Sequence, residues 1–174
     1  MNKIIKDQIT KLKPSATLAI NEESNRLKKS GKKIYRFGFG QSPFPIPEKI
    51  VLALRNNANK NKYLPMQGLE ELRVGIANYL NNNNGNNFLS DNIIIGPGSK
   101  ELMLLTHIAF DGEIILPAPS WVSYQPQANI AKNKVHWIQT SIDTNWFPTA
   151  EQIEKKIKNI KTEKIILFLN SPNN

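Results

Sequence analysis

Residues 93–101 read Ile93-Ile94-Ile95-Gly96-Pro97-Gly98-Ser99-Lys100-Glu101, and this stretch decides the fold class. The β-branched Ile93, Ile94 and Ile95 predict a strand from Asn92 to Ile95. Gly96, Pro97 and Gly98 break it. Ser99 then opens a segment to Ala109 in which Leu102, Leu105 and Ile108 fall on one side, the period of a helix. The same change of period repeats downstream. Glu113 to Leu116 predicts a strand, and Val122 to Ala131 a helix disturbed by Pro126. Val135 to Ile138 predicts a strand, Thr149 to Ile160 a helix, and Lys164 to Leu169 a strongly apolar strand. Strands alternating with helices in this order predict an α/β fold, a mainly parallel sheet with helices on both faces and right-handed crossovers.

Upstream, a helix is expected from Pro14 or Ser15 to a stop at Gly31. A short strand is expected at Ile34 to Phe39. Gly40-Gln41-Ser42-Pro43-Phe44-Pro45-Ile46-Pro47 carries too many prolines for regular structure, and Pro47 suits the first turn of a helix bearing Ile50, Val51, Ala53 and Leu54. Leu69, Leu72, Ile76, Ala77 and Leu80 predict a further helix from about Gly68 to Leu80. The run Asn81 to Asn87 reads as a surface loop.

Composition narrows the functional classes. The chain has 174 residues, of which 40% are hydrophobic and 21% charged, as in a globular protein. There is no cysteine, which excludes disulfides, thiolate metal sites and Cys nucleophiles. His107 and His136 lie far apart, so no His-based metal site is expected. No apolar stretch approaches the ~18 residues of a membrane span, and Met1 to Lys6 lacks a signal-peptide core. A soluble cytoplasmic protein is the expectation. The net charge of +9 rests on 19 Lys and only 4 Arg, beside 22 Asn and 22 Ile. These lysines are scattered, a pattern of compositional drift more than of a nucleic-acid surface.

In open α/β sheets ligands bind beyond the carboxyl ends of the strands. Three segments leave predicted strands at that edge. Gly98, Ser99 and Lys100 form a turn whose helix-opening N–H groups, hydroxyl and ammonium suit a phosphate; the competing reading is an ordinary strand-to-helix turn. Pro117-Ala118-Pro119-Ser120-Trp121-Val122-Ser123-Tyr124 is a rigid loop. It places Trp121 at a helix start, where its flat ring can stack on a planar group or serve the core, and Tyr124 three positions on, on the same face. Phe168-Leu169-Asn170-Ser171-Pro172-Asn173-Asn174 ends an apolar strand in amides able to donate and accept.

Together these segments resemble the class I/II aminotransferases, the pyridoxal-phosphate-dependent fold type I family related to aspartate aminotransferase. The resemblance runs from Pro14 to Asn174. Ser15-Ala16-Thr17-Leu18-Ala19-Ile20 resembles the family's opening helix. Gly38-Phe39-Gly40-Gln41-Ser42-Pro43-Phe44-Pro45 resembles its Gly-x-Pro-Asp-Phe loop, with Gln-Ser-Pro in place of Glu-Pro-Asp. Lys62-Tyr63-Leu64-Pro65-Met66-Gln67-Gly68-Leu69-Glu70-Glu71-Leu72-Arg73 resembles its Tyr-x-x-x-x-Gly-x-x-x-Leu-Arg segment. Asn170-Ser171-Pro172-Asn173-Asn174 resembles the start of Asn-Ser-Pro-Asn-Asn-Pro-Thr-Gly.

The resemblance implies pyridoxal 5'-phosphate (PLP) as cofactor, amino-acid and 2-oxo-acid substrates, with aspartate and 2-oxoglutarate as one possible pair, and a homodimer. It implies residues 1–45 as an N-terminal arm and part of a small domain, and 46–174 as the first part of the large PLP-binding domain. It assigns Gly98, Ser99 and Lys100 to the cofactor phosphate, Trp121 to the pyridine ring and Asn174 to the ring's phenolic oxygen. Tyr63 would reach the partner subunit's cofactor, Gly40 the substrate carboxylate, and Tyr124 would lie by the substrate. The family's Schiff-base lysine, the acid at the pyridine nitrogen and the substrate-clamping arginine come later than the Asn-Pro-Thr-Gly motif, so no catalytic residue is assigned. The expectation is an N-terminal fragment, inactive alone, with Lys164 to Leu169 as an interior strand left with an uncovered apolar edge. Two other readings stay open: a non-catalytic module holding PLP or another phosphorylated ligand, and a basic nucleic-acid-binding protein.

Overall fold

The computed structural model describes residues 4–14, 16–37, 40 and 42–173. Helices occupy Asp7–Thr10 (α1), Ala16–Lys29 (α2), Glu48–Asn57 (α3), Glu70–Asn84 (α4), Ser99–Ala109 (α5), Tyr124–Ala131 (α6) and Ala150–Lys158 (α7). Strands occupy Glu113–Ala118 (β1), Val135–Gln139 (β2) and Ile165–Leu167 (β3). The chain forms two compact units. One joins the residues up to Pro14 with those from Pro97 onward; the other spans Ser15–Gly96.

The first unit holds a parallel sheet in the order β2-β1-β3. β1 is central because it is apolar on both faces: Ile114, Ile115 and Leu116 are fully buried. Burying each such side chain is worth about 1.5–3 kcal/mol. Ile114 and Leu116 face Tyr124 and Ala128 of α6, and Met103, Phe110, Val135, Ile166 and Phe168 pack around them. The chain runs from β1 to β2 on one side, then crosses β1 to reach β3 on the other. Right-handed crossovers in these opposite directions place α6 and α7 on opposite faces of the sheet. α1 packs against α6.

Local chemistry sets the boundaries. α6 begins at Tyr124, two residues later than expected, and Pro126 does not disturb it. Pro126 falls in the first turn, where no N–H needs an intrahelical partner. α7 opens on a capping box: the Gln152 N–H donates to Thr149 Oγ1 (3.2 Å), and the Thr149 N–H to Gln152 Oε1 (3.0 Å). β3 pairs only with β1 among the described residues, so it lies at an edge of this sheet and its three residues are only partly buried.

Two histidines sit in this unit with opposite surroundings. His107 is buried and stacks on Phe168 with ring centroids 4.9 Å apart. Burial pushes its pKa down, so the ring is held neutral. His136 meets the Glu113 carboxylate, which also lies 3.7 Å from Lys134 Nζ. The hydrogen bond from His136 holds the Glu113 carboxyl below the usual value of 4.5, with Lys134 adding to the effect. As pH falls past that value the unfolded chain takes up the proton first. Glu113 therefore contributes stability above 4.5 that is lost as pH drops through its folded value. Glu113→Gln should flatten this part of the acid limb; urea midpoints compared from about pH 5 to about pH 3 measure it.

In the second unit three expectations are corrected. Ile34 to Phe37 forms no strand, and Phe39 lies outside the described residues. Tyr35 and Phe37 are exposed, for β propensity without a partner edge makes no strand. The asparagine run is not all loop: α4 continues through Asn84 and stops at Gly85, whose φ of 64° is left-handed. Asn81 holds the turn beyond it, its Nδ2 donating to Phe88 O (2.9 Å) and its Oδ1 accepting from Phe88 N (2.7 Å). Asn92 to Ile95 pairs in no ladder; a 3-10 turn at Ser90–Asn92 leads into extended chain, and the Ile95 N–H donates to Gln67 O (2.9 Å). That contact brings Ile95 against Gly68, where φ is 98° and an added Cβ would lie 2.5 Å from Ile95 Cβ. α4 buries Arg73, which donates to Ser90 O (2.9 Å).

Candidate functional site

The carboxyl edge of the sheet in the first unit collects the polar and aromatic groups. The chain leaves β1 and β2 toward opposite faces, and a crevice opens at this edge, the usual ligand position of an open α/β sheet. Ser120 and Tyr124 line it from the segment after β1, Phe168 and Asn173 from the segment after β3, and Trp146 and Phe147 from the loop after β2. The Asn173 side-chain amide donates to Pro119 O (2.9 Å), which ties the two strand-end segments together. Ser120 Oγ is buried with no hydrogen-bond partner among the described residues.

α5 opens at Gly98, which has φ 128° and ψ 155°. That region is essentially restricted to glycine, yet nothing lies within 4 Å of an added Cβ. Conformation, not space, is what demands glycine there. The turn sends the chain into α5 with the N–H groups of Ser99, Lys100 and Glu101 free of intrahelical partners. Ser99 and Lys100 are exposed. Lys100 Nζ lies 5.2 Å from the Trp121 ring centroid, in cation–π range. Trp121 meets Tyr124 edge-on at 5.5 Å, and Tyr124 meets Phe168 at 5.4 Å. One continuous aromatic row thus runs from the partly exposed indole inward to His107.

The first unit therefore brings Gly98, Ser99, Lys100, Trp121 and Tyr124 together. Two details differ from the sequence reading. Trp121 does not begin a helix; it sits in the turn before α6 and accepts from the Tyr124 N–H (3.2 Å). Tyr124 is a core residue, buried between Ile114, Leu116 and Ala128. Tyr63 and Gly40 belong to the second unit, where both are exposed. Asn174 lies outside the described residues. Sequence reasoning missed Trp146 and Phe147. Their signal was an aromatic pair ahead of Pro148, but the turn that aims them, with φ of 51° at Asn145 and 58° at Trp146, has no glycine to announce it.

An anion cradle beside a flat aromatic face is a combination that many phosphate-bearing planar ligands could use. The chain matches the family model for aminotransferase class I and II over residues 32–174. It belongs to the class I and II aminotransferases. It is 30% identical to a probable aspartate/prephenate aminotransferase of Rhizobium leguminosarum bv. phaseoli, over 97% of this chain and 42% of the relative. It is 31% identical to an aspartate aminotransferase of Bacillus sp. YM-2, over 100% of this chain and 45% of the relative. Its fold superposes on a single-mutant aspartate aminotransferase of Thermus thermophilus with a TM-score of 0.86 at 29% identity, over 99% of this chain and 46% of that one. The chain thus spans less than half the length of the curated relatives it matches.

Class I and II aminotransferases use PLP. The residues on the carboxyl edge fit that group. Backbone N–H donors, a hydroxyl and an ammonium suit a phosphate, an indole face suits a pyridine ring, and the orphaned Ser120 hydroxyl has hydrogen-bonding capacity to spare. No helix among the described residues is long and apolar enough to cross a membrane.

Proposed function

We propose that this chain provides the phosphate-holding and ring-stacking part of a PLP-dependent aminotransferase site, for amino-group transfer between an amino acid and a 2-oxo acid. The observation that carries the reading is the start of α5 beside Trp121, with Lys100 over the indole. When bound, PLP supplies the carbonyl that takes up the amino group and a ring that withdraws electrons from it. Gly98 lets the chain turn so that the N–H groups at the head of α5 meet the phosphate. Ser99 donates its hydroxyl, and Lys100 adds positive charge. Trp121 covers one face of the ring and keeps water from it. Asn174 donates to the ring's phenolic oxygen. Gly40 leaves its backbone open to the substrate carboxylate, and Tyr124 supports the substrate side of the ring. Tyr63, fully exposed, reaches the cofactor of a partner subunit in a homodimer. The names of the relatives favour aspartate as amino donor.

None of the lysines in this chain holds the cofactor covalently in this reading; Lys100 serves the phosphate instead. The test is a PLP titration of the 174-residue chain, followed by borohydride reduction and peptide mapping. Reversible binding without a pyridoxyl-lysine, and no transamination of aspartate with 2-oxoglutarate, is the expected result. A pyridoxyl-lysine within the chain would overturn the assignment of Lys100. No saturable binding of PLP would overturn the site.

A further inference from the structure

We infer that Gln127 is a positioning residue that locks the phosphate turn to the ring-stacking tryptophan. The inference rests on the cofactor reading above and extends it to a side chain that touches no ligand. Gln127 lies on α6, buried, one turn beyond Tyr124. Its Nε2 donates to the carbonyl of Lys100 (2.7 Å), in the first turn of α5. That carbonyl already serves the helix, so the amide adds a second bond on its free lone pair and fixes where the head of α5 stands against α6. Trp121 is tied to the same end of α6 through the Tyr124 N–H, and Lys100 Nζ lies over its ring. One side chain thus sets the spacing between the N–H groups that meet an anion and the indole that meets a ring. The hydrogen bond spans 27 residues of sequence and is partly out of water, where the lost second bond to the carbonyl is not fully replaced.

The emission readout uses the full chain carrying Trp137→Phe and Trp146→Phe, which leaves Trp121 as the one tryptophan of three, and PLP affinity is titrated with Trp137 and Trp146 in place. Gln127→Met keeps the volume and removes the donor. Two readouts are taken: Trp121 emission with acrylamide quenching, and PLP affinity by titration. The expected result is a red-shifted, more quenchable Trp121 and PLP binding weaker by about fivefold, the size of one lost hydrogen bond. Ile138→Val, a core trim on β2, lowers the melting temperature without moving either readout. Trp121 emission unchanged by Gln127→Met overturns the inference, as does PLP binding of unchanged affinity. If the emission shifts but neither protein binds PLP, the coupling stands and the cofactor reading falls.

Discussion

Gly68→Ala should cost the second unit about 2–5 kcal/mol, a large share of the about 5–15 kcal/mol that holds an ordinary domain folded. Two independent penalties add. The φ of 98° is one that an L side chain rarely adopts, and the new methyl would sit 2.5 Å from Ile95 Cβ and 2.7 Å from its Cγ1. Neither atom is the far end of a flexible side chain, so the backbone must move. The move would break the bond from Ile95 N to Gln67 O, which joins the segment before α4 to the segment after it. Gly75→Ala is the matched control. It lies inside α4 with nothing within 4 Å of the added Cβ, and should stabilise by about 0.5–1 kcal/mol from helix propensity alone. Urea titrations of both variants decide the matter. Equal stability of Gly68→Ala and the parent would mean that Gly68 and Ile95 are not packed as described.

Gly98→Ala should weaken PLP and inorganic phosphate roughly tenfold or more while leaving the fold intact. Here space is no obstacle, since nothing lies near the added Cβ. The penalty is wholly conformational: an alanine at φ 128° and ψ 155° relaxes toward an allowed region and swings the first N–H groups of α5 away from a common target. The contrast with Gly68 is useful, because one glycine serves packing and the other direction. Far-UV circular dichroism checks the fold, and titration of both ligands checks the site. Unchanged affinity for both would remove the α5 turn from the cofactor reading.

What the sequence disclosed followed physical range. Elements that carry their own start and stop signals were legible: Thr149 with Gln152 opens α7, Pro47 precedes α3, and Gly98 precedes α5. The apolar run at Ile114 to Leu116 was legible as a strand, whereas its central place in the sheet was not, since Lys164 to Leu169 read as the interior one. Elements that depend on a distant partner were not. Ile34 to Phe37 and Asn92 to Ile95 have strand-like residues, but pairing is decided by a neighbour that no local pattern encodes. The asparagines after Leu80 read as loop by composition, yet the helix carries them to Gly85 because only there does the backbone turn left-handed. In the candidate site, Gly98, Ser99, Lys100 and Trp121 were legible by type, whereas Trp146, Phe147 and Gln127 were not. A buried amide reaching back 27 residues leaves no mark on spacing.

The interrupted first unit has a consequence for synthesis. α1 and α6, against which it packs, are separated by roughly 110 residues, which at ~5–20 residues per second of synthesis is roughly 6–20 s. Through that interval α1 has no α6 to pack against, while the uninterrupted segment from Ser15 to Gly96 emerges whole. Synthesis therefore completes the segment from Ser15 to Gly96 before the first unit can assemble, and α1 docks only once α6 has followed.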